Sequence, residues 1–405
     1  MTDPVAITGG SCISGLGLGR TAFDSALRAG RSAISAATFD TSALQSHLAG
    51  QIVDFDPAAF IAPGKLRRID RIGRLAVACC RLALDDAGLR GAVGDGEVAV
   101  VIGTQTAGIH SLVEYLDRLI AQGPPGASAL DFSNTVGNAA ASLCGIELGL
   151  RGANVTVNNK EASALGAVAY AMSLIGSGPA RAVVTGGVDD IEATFFATHE
   201  RFGVLASDEG HGEASRPFDR RRNGFVMGSG AFLIVLESAA SVEARGVTPR
   251  GHLLGIGATA ATCRLNDWPR QPAQLVRCMR DALDRANLEP RDVAVVFASA
   301  NSTQALDRVE AAALAEVFGA GAVPVTSLKG ALGECGATGA AGILAALTCL
   351  DEGVIPPTAG FAESDPECPV DVSASPRPLP PRAGRVALVN SFASGGTSYA
   401  AVVRA

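Results

Sequence analysis

The stretch NVTVNNKEASALGAVAYAMSLIGSGPARAVVTGG, from Asn154 to Gly187, reads as a strand, a tight turn, a helix and a second strand. A turn of this kind presents one side chain at a helix N-terminus, where a thiol would be activated by the helix dipole. Here that side chain is Glu161. An ionised carboxylate gains about 0.3–1 kcal/mol in such a place, which makes it a weaker nucleophile, and an acyl-glutamate is an anhydride, uphill from a thioester. Helix stabilisation is therefore the plainest role for Glu161. Other nucleophiles lack partners: Cys335 has no histidine in a matching motif and Ser163 no base. The five histidines, His47, His110, His199, His211 and His252, form no i, i+4 metal pair, and the nine cysteines show no C-x-x-C pairing. No metal and no cofactor is expected, and the cysteines read as small buried residues of a reducing compartment.

The composition restricts the setting of this chemistry. With 405 residues, 48% hydrophobic, 18% charged and 48 glycines, the chain reads as a tightly packed α/β protein. A net charge of -7 and the lack of a basic, aromatic-studded stripe exclude a general nucleic-acid role. The basic run KLRRIDRIGR from Lys65 reads as a solvated helix start, with an acidic carrier protein as its other possible contact. No apolar run reaches eighteen residues and MTDPVAITGG enters a strand directly, so no membrane association and a cytoplasmic location are expected.

Glycine-bounded runs VAITGG, EVAVVIGT, RAVVTGG, AFLIVLES, DVAVVFASA and GRVALVNS suit strands buried on both faces. Between them, Ile72, Leu75, Ala76, Cys79, Leu82 and Ala83 form an apolar helical stripe. A repeat organises the whole: RLALDDAGLRGAVGDGEVAVVIGT from Arg81 is echoed by RDALDRANLEPRDVAVVFASA from Arg280, and the alanine-rich helix from Ser163 by ATGAAGILAALTCLDEG from Ala337. This predicts two related halves, 1–240 and 241–405, in one compact body. The polar stretch from Asp208, where Arg216 and Arg220 to Arg222 are expected to pair with acids such as Asp219, and the proline-rich stretch from Cys368 read as surface connections rather than linkers.

The segment EASRPFDRRRNGFVMGSGAFLIVLESAASVEARG from Glu213 resembles β-ketoacyl synthases. The resemblance runs over nearly the whole chain, through VAITGG, DFSNTVGNAAAS, GLRGANVTV, SGPARAVVTGGVDD, STQALDRVEAAALAEVFG, PVTSLKGALG and NSFASGGTSYAAVV. It implies an α/β thiolase-like fold of duplicated βαβαβ halves in five layers (αβαβα), and a dimer in which the NVTVNN strand pairs across the twofold. Condensing members place a cysteine and two histidines at positions that fall here on Glu161, Ser299 and Glu334, while the lysine is kept as Lys329. The gate glycine and phenylalanine positions fall on Ala393 and Ser394.

The resemblance therefore implies a non-condensing chain length factor, the partner of a catalytic ketosynthase in a type II polyketide or polyene system, reached by an acyl carrier protein through the complex. Glutamine is the commoner substitute at the nucleophile position, so Glu161 departs even from that pattern. If Glu161 and Glu334 approach one another, either one of them is protonated or Lys329 neutralises one of them. His110, Val113 and Leu116, in the amphipathic segment HSLVEYLDRL, are the expected tunnel and interface residues. Two other readings stay open: a malonyl-carrier decarboxylase using Glu161 or Ser299, and a non-catalytic module that binds acyl groups or a carrier.

Overall fold

The computed structural model of the chain describes residues 4–89, 98–381 and 385–405. The loop of the first repeat copy, residues 90–97, lies outside the described residues. The repeat is built as two sets of strands. The first comprises β1 (Val5–Ser14), β2 (Val98–Gly103), β3 (Asn154–Val157), β4 (Ala182–Asp189) and β5 (Gly230–Glu237). The second comprises β6 (Gly251–Ala260), β7 (Val293–Phe297), β8 (Pro324–Thr326), β9 (Val386–Phe392) and β10 (Thr397–Arg404).

Across the sheet the first set runs β1-β5-β4-β2-β3 and the second β6-β10-β9-β7-β8. Strand directions repeat with the order. β5 is antiparallel to β1 and β4, and β2 is parallel to β4 and β3. Likewise β10 is antiparallel to β6 and β9, and β7 is parallel to β9 and β8. A short antiparallel ladder, Val5 to Ile7 against Leu253 to Gly251, joins the sets into one continuous sheet.

The helices sort into layers by the width of their apolar surface. α1 (Arg71–Asp86) and α3 (Ala139–Leu148) cover the outer face of the first set, and α6 (Ala273–Arg285) and α7 (Gln304–Phe318) that of the second. On α1 the expected stripe is buried except for Leu82, which is half-buried, and the Asp70 carboxylate caps the helix by accepting from Gly73 N at 2.9 Å. A cap of that type contributes about 1 kcal/mol. Between the sets lie α4 (Ser163–Gly176), which has no charged residue, and α8 (Thr338–Glu352), charged only in its last turn. Helices apolar all round have to be enclosed, and these two form the middle of the five layers.

Glycines set how closely the middle helices dock. A Cβ on Gly103 would lie 2.2 Å from the Ser163 carbonyl oxygen, and one on Gly187 2.6 Å from Ala337 Cα. Both helix starts are therefore held against the strand ends, and Ala164 N donates to Gly336 O (2.9 Å), tying one start to the other.

In the stretch from Asp208, Arg221 pairs with Asp219 (2.9 Å), Arg220 with Glu363 (2.7 Å), and Arg222 with Asp365 (2.6 Å) and Asp307 (3.6 Å). Arg216 departs from the expected acid pairing. Its guanidinium donates to the carbonyls of His211 (2.6 Å) and Gly212 (2.9 Å), closing that turn instead.

α2 (Ile109–Gln122) shows outward Leu112, Leu116 and Ile120, with exposed Phe132 and Val136 following it in the chain. β3 ends the strand order as an open edge.

Candidate functional site

The starts of α4 and α8 meet the ends of β7 and β9, and this junction gathers Glu161, Ser299, Lys329, Glu334, Ala393 and Ser394, six residues spread over more than two hundred positions. All six are buried.

Glu161 lies in a single 3-10 turn, Lys160–Ala162, just ahead of α4. Its carboxylate does not cap the helix. Instead it accepts from Ser394 N (3.0 Å to Oε2) and from Ser394 Oγ (3.0 Å to Oε1). Lys160 Nζ in turn donates to Ser394 Oγ (2.6 Å) and to Asn266 Oδ1. Ser163 Oγ donates to Lys160 O (2.6 Å) and accepts from Asn159 N (2.9 Å), so it braces the turn with no base beside it.

Lys329 occupies the centre of the second group. Its Nζ donates to Glu334 Oε2 (2.8 Å), Ser299 O (2.7 Å) and Ser299 Oγ (3.3 Å). Asn301 Nδ2 donates to the same Glu334 oxygen at 2.8 Å, while Oε1 has no hydrogen-bond partner among the described residues. Burial pushes the Glu334 carboxyl up to about 7, the Lys329 ammonium opposes this, and the Glu161 charge adds to it. Lys329 is thus the neutralising cation for Glu334.

Ser299 is fixed on every side. Its N donates to Glu310 Oε1 (2.9 Å) and its Oγ accepts from Phe392 N (2.9 Å). Burial likewise raises Glu310 to about 7, against the bonds it accepts from Ser299 N and Asn390 Nδ2. Cys335 is buried, and burial followed by the nearby Asp189 charge lifts its thiol well above the ordinary range, which makes it inert.

Sequence spacing missed several contributors. His199, in the last turn of α5 (Ala193–Arg201), sits among Phe195, Phe202 and Phe225, with ring centroids 4.3, 6.3 and 6.1 Å away. Burial lowers its pKa, the Phe195 carbonyl and the Glu161 charge oppose this, and Lys160 adds to it. A neutral imidazole therefore borders the Glu161 turn. Lys160, Asn266 and Asn301 were also missed; each joins the site through a loop whose course no local pattern encodes.

The expected tunnel and interface residues lie on α2. His110 is exposed and pairs with Glu114 (3.4 Å), Val113 is half-buried, and Leu116 is 41% exposed on the outward side of α2. Among the described residues no group of three or more His, Cys, Asp or Glu side chains is placed to hold a metal ion. Nor is any helix among them long and apolar enough to cross a membrane.

As chemistry, the junction offers no activated thiol or hydroxyl. Its cation, Lys329, is already engaged by a carboxylate, and an oxyanion needs free preorganised donors rather than Glu334.

The five-layer αβαβα arrangement with two central helix starts defines a thiolase-like fold. The family model for the β-ketoacyl synthase N-terminal domain matches residues 2–241, and that for the C-terminal domain residues 251–362. The chain belongs to the β-ketoacyl synthase family. It is 33% identical to the tetracenomycin polyketide synthase ketoacyl synthase alpha subunit of Streptomyces glaucescens, covering 98% of this chain and 96% of that one. To the beta subunit of the same synthase it is 32% identical, covering 99% and 98%. The solved structure of the ishigamide ketosynthase/chain length factor superposes with a TM-score of 0.92 at 30% identity, over 100% of this chain and 99% of that one. Overall identity thus gives alpha and beta subunits equal weight, and the site residues have to discriminate.

Proposed function

We propose that this chain is a non-condensing chain length factor that pairs with a catalytic ketosynthase. The observation that carries this reading is the Glu161 carboxylate, held by Ser394 at the position from which a condensing relative attacks. Ser299 and Glu334 at the two imidazole positions support it: a serine hydroxyl is no base near neutral pH, and Glu334 Oε2 already accepts from both Lys329 and Asn301. Elongation then takes place on the partner, to which a carrier protein delivers acyl groups.

The open β3 edge would pair with the partner's equivalent strand, and Leu112, Leu116 and Ile120 would be covered beside it. From there His110, Val113 and Leu116 would limit the length of the chain in the partner's tunnel. A decarboxylase reading is opposed by Glu334: it engages Lys329, the cation a malonyl carboxylate would need, and repels that carboxylate.

The test is to purify the chain alone and together with its cognate synthase, size both, and assay elongation of carrier-bound acyl groups. A heterodimer that elongates, beside a single chain that does not, is expected. Elongation by the single chain, or a stable homodimer indifferent to the synthase, overturns the reading.

A further inference from the structure

Lys160 and Glu161 are adjacent in sequence and grip one side chain from opposite sides. Ser394 N and Oγ donate to the Glu161 anion, and Ser394 Oγ accepts from the Lys160 ammonium at 2.6 Å. The hydroxyl is therefore engaged both as donor and as acceptor. The same ammonium donates to Asn266 Oδ1 in the loop after β6. That loop is bound in turn to the turn after β9: Gly395 N donates to Asp267 O (2.9 Å) and Ala261 N to Gly396 O (3.0 Å).

Three segments distant in sequence, at 160–161, 261–267 and 393–396, are thus stitched together, the first to the other two by charge-assisted bonds and those two to each other by backbone bonds. Lys160 holds a left-handed backbone, φ 52°, which a non-glycine residue rarely adopts unless its surroundings enforce it. On the α5 side the cluster of His199, Phe195, Phe202 and Phe225 closes the same region.

We infer that Lys160, through Ser394 and Asn266, keeps a thioester-bearing carrier arm away from the buried Glu161 junction of this chain. The inference rests on the non-condensing reading and adds a second safeguard to it. Loss of the thiol removes attack, and the stitch removes access. Ser394 is itself buried, and the Lys160 bonds to it and to Asn266 hold the covering segments against the Glu161 turn.

Glu161→Cys provides a probe of access. It deletes the carboxylate but leaves the Lys160 bonds to Ser394 and Asn266 in place. Alkylation of the introduced thiol by iodoacetamide is followed by peptide mapping on the full-length chain, alone or with its partner as purified. Adding Lys160→Gly, a residue suited to φ 52°, is expected to speed labelling at least tenfold, and adding Asn266→Ala several-fold. Rates within twofold of the Glu161→Cys chain for both pairs would overturn the inference. Equal acceleration at buried Cys278 and Cys349 would do the same, since it would mean general loosening. Should Lys160→Gly fail to fold, the Asn266→Ala pair decides. None of these rates depends on condensation, so elongation by the unaltered single chain would refute the functional reading separately.

Discussion

Replacing Glu334 by glutamine isolates the charge that most sets this junction apart. Burial holds the Glu334 carboxyl at about 7, against 4.5 for an ordinary glutamate, so between those values the folded chain binds a proton that the unfolded chain has released. A raised carboxyl contributes stability fully below pH 4.5 and loses it as the pH rises through 7. Integrating the two titrations, Glu334 costs the wild type about 2 to 3 kcal/mol more at pH 8 than at pH 5. Glu334→Gln removes that dependence. Glu310 is common to both chains and cancels. With an unfolding entropy of about 2.1 cal/mol/K per residue, the melting temperature of Glu334→Gln should rise relative to wild type by about 3 °C on going from pH 5 to pH 8. Scanning fluorimetry of both chains across that range measures it. A gap between the two melting curves that stays within 1 °C at every pH would refute the reasoning and place the Glu334 titration near its ordinary value.

Two other perturbations follow from the same contacts. Ile120→Asp on the outward stripe of α2 should abolish co-purification with the synthase while changing the stability of the chain itself by less than about 0.5 kcal/mol, since the side chain is 81% exposed; an undiminished complex in pull-down would count against the interface. Arg222→Leu removes a buried cation from Asp307 and Asp365, which should cost about 3–5 kcal/mol and lower the melting temperature by several degrees.

Much of the scaffold was legible in the sequence because its signals are local. β-branched runs between glycines gave the buried strands, and the two alanine-rich helices supported the duplication, while their place in the central layer came from the resemblance. The RLALDD and RDALDR echoes pointed to the duplication that appears as matched strand order. The positions of Glu161, Ser299, Lys329 and Glu334 came from resemblance, since no spacing links residues so far apart. Charge suggested that Lys329 would neutralise one of Glu161 and Glu334, without saying which; the structure pairs it with Glu334. What escaped was the use of each group. Glu161 read as a helix-stabilising charge, yet it bonds a serine 233 residues away, and His199 read as an ordinary histidine although it borders that turn. Such contacts arise where loops from both halves converge, and their partners are chosen by tertiary packing rather than by any period in the chain.

The substitutions at this junction are mutually consistent. A carboxylate at Glu161 alone would leave a buried anion facing an open gate; Ser394 supplies two donors to it, and a phenylalanine hydroxyl does not exist to do so. A carboxylate at Glu334 alone would be costly without Lys329 and Asn301, and both donate to it. Catalysis requires donors left free for a transient charge, whereas stability favours donors already engaged by a resident one. Glu161, Ser299 and Glu334 all show the second arrangement, which on the proposed reading keeps the scaffold intact without condensation. Restoring the thiol by Glu161→Cys should therefore not restore condensation, because Lys329 and Asn301 would remain committed to Glu334.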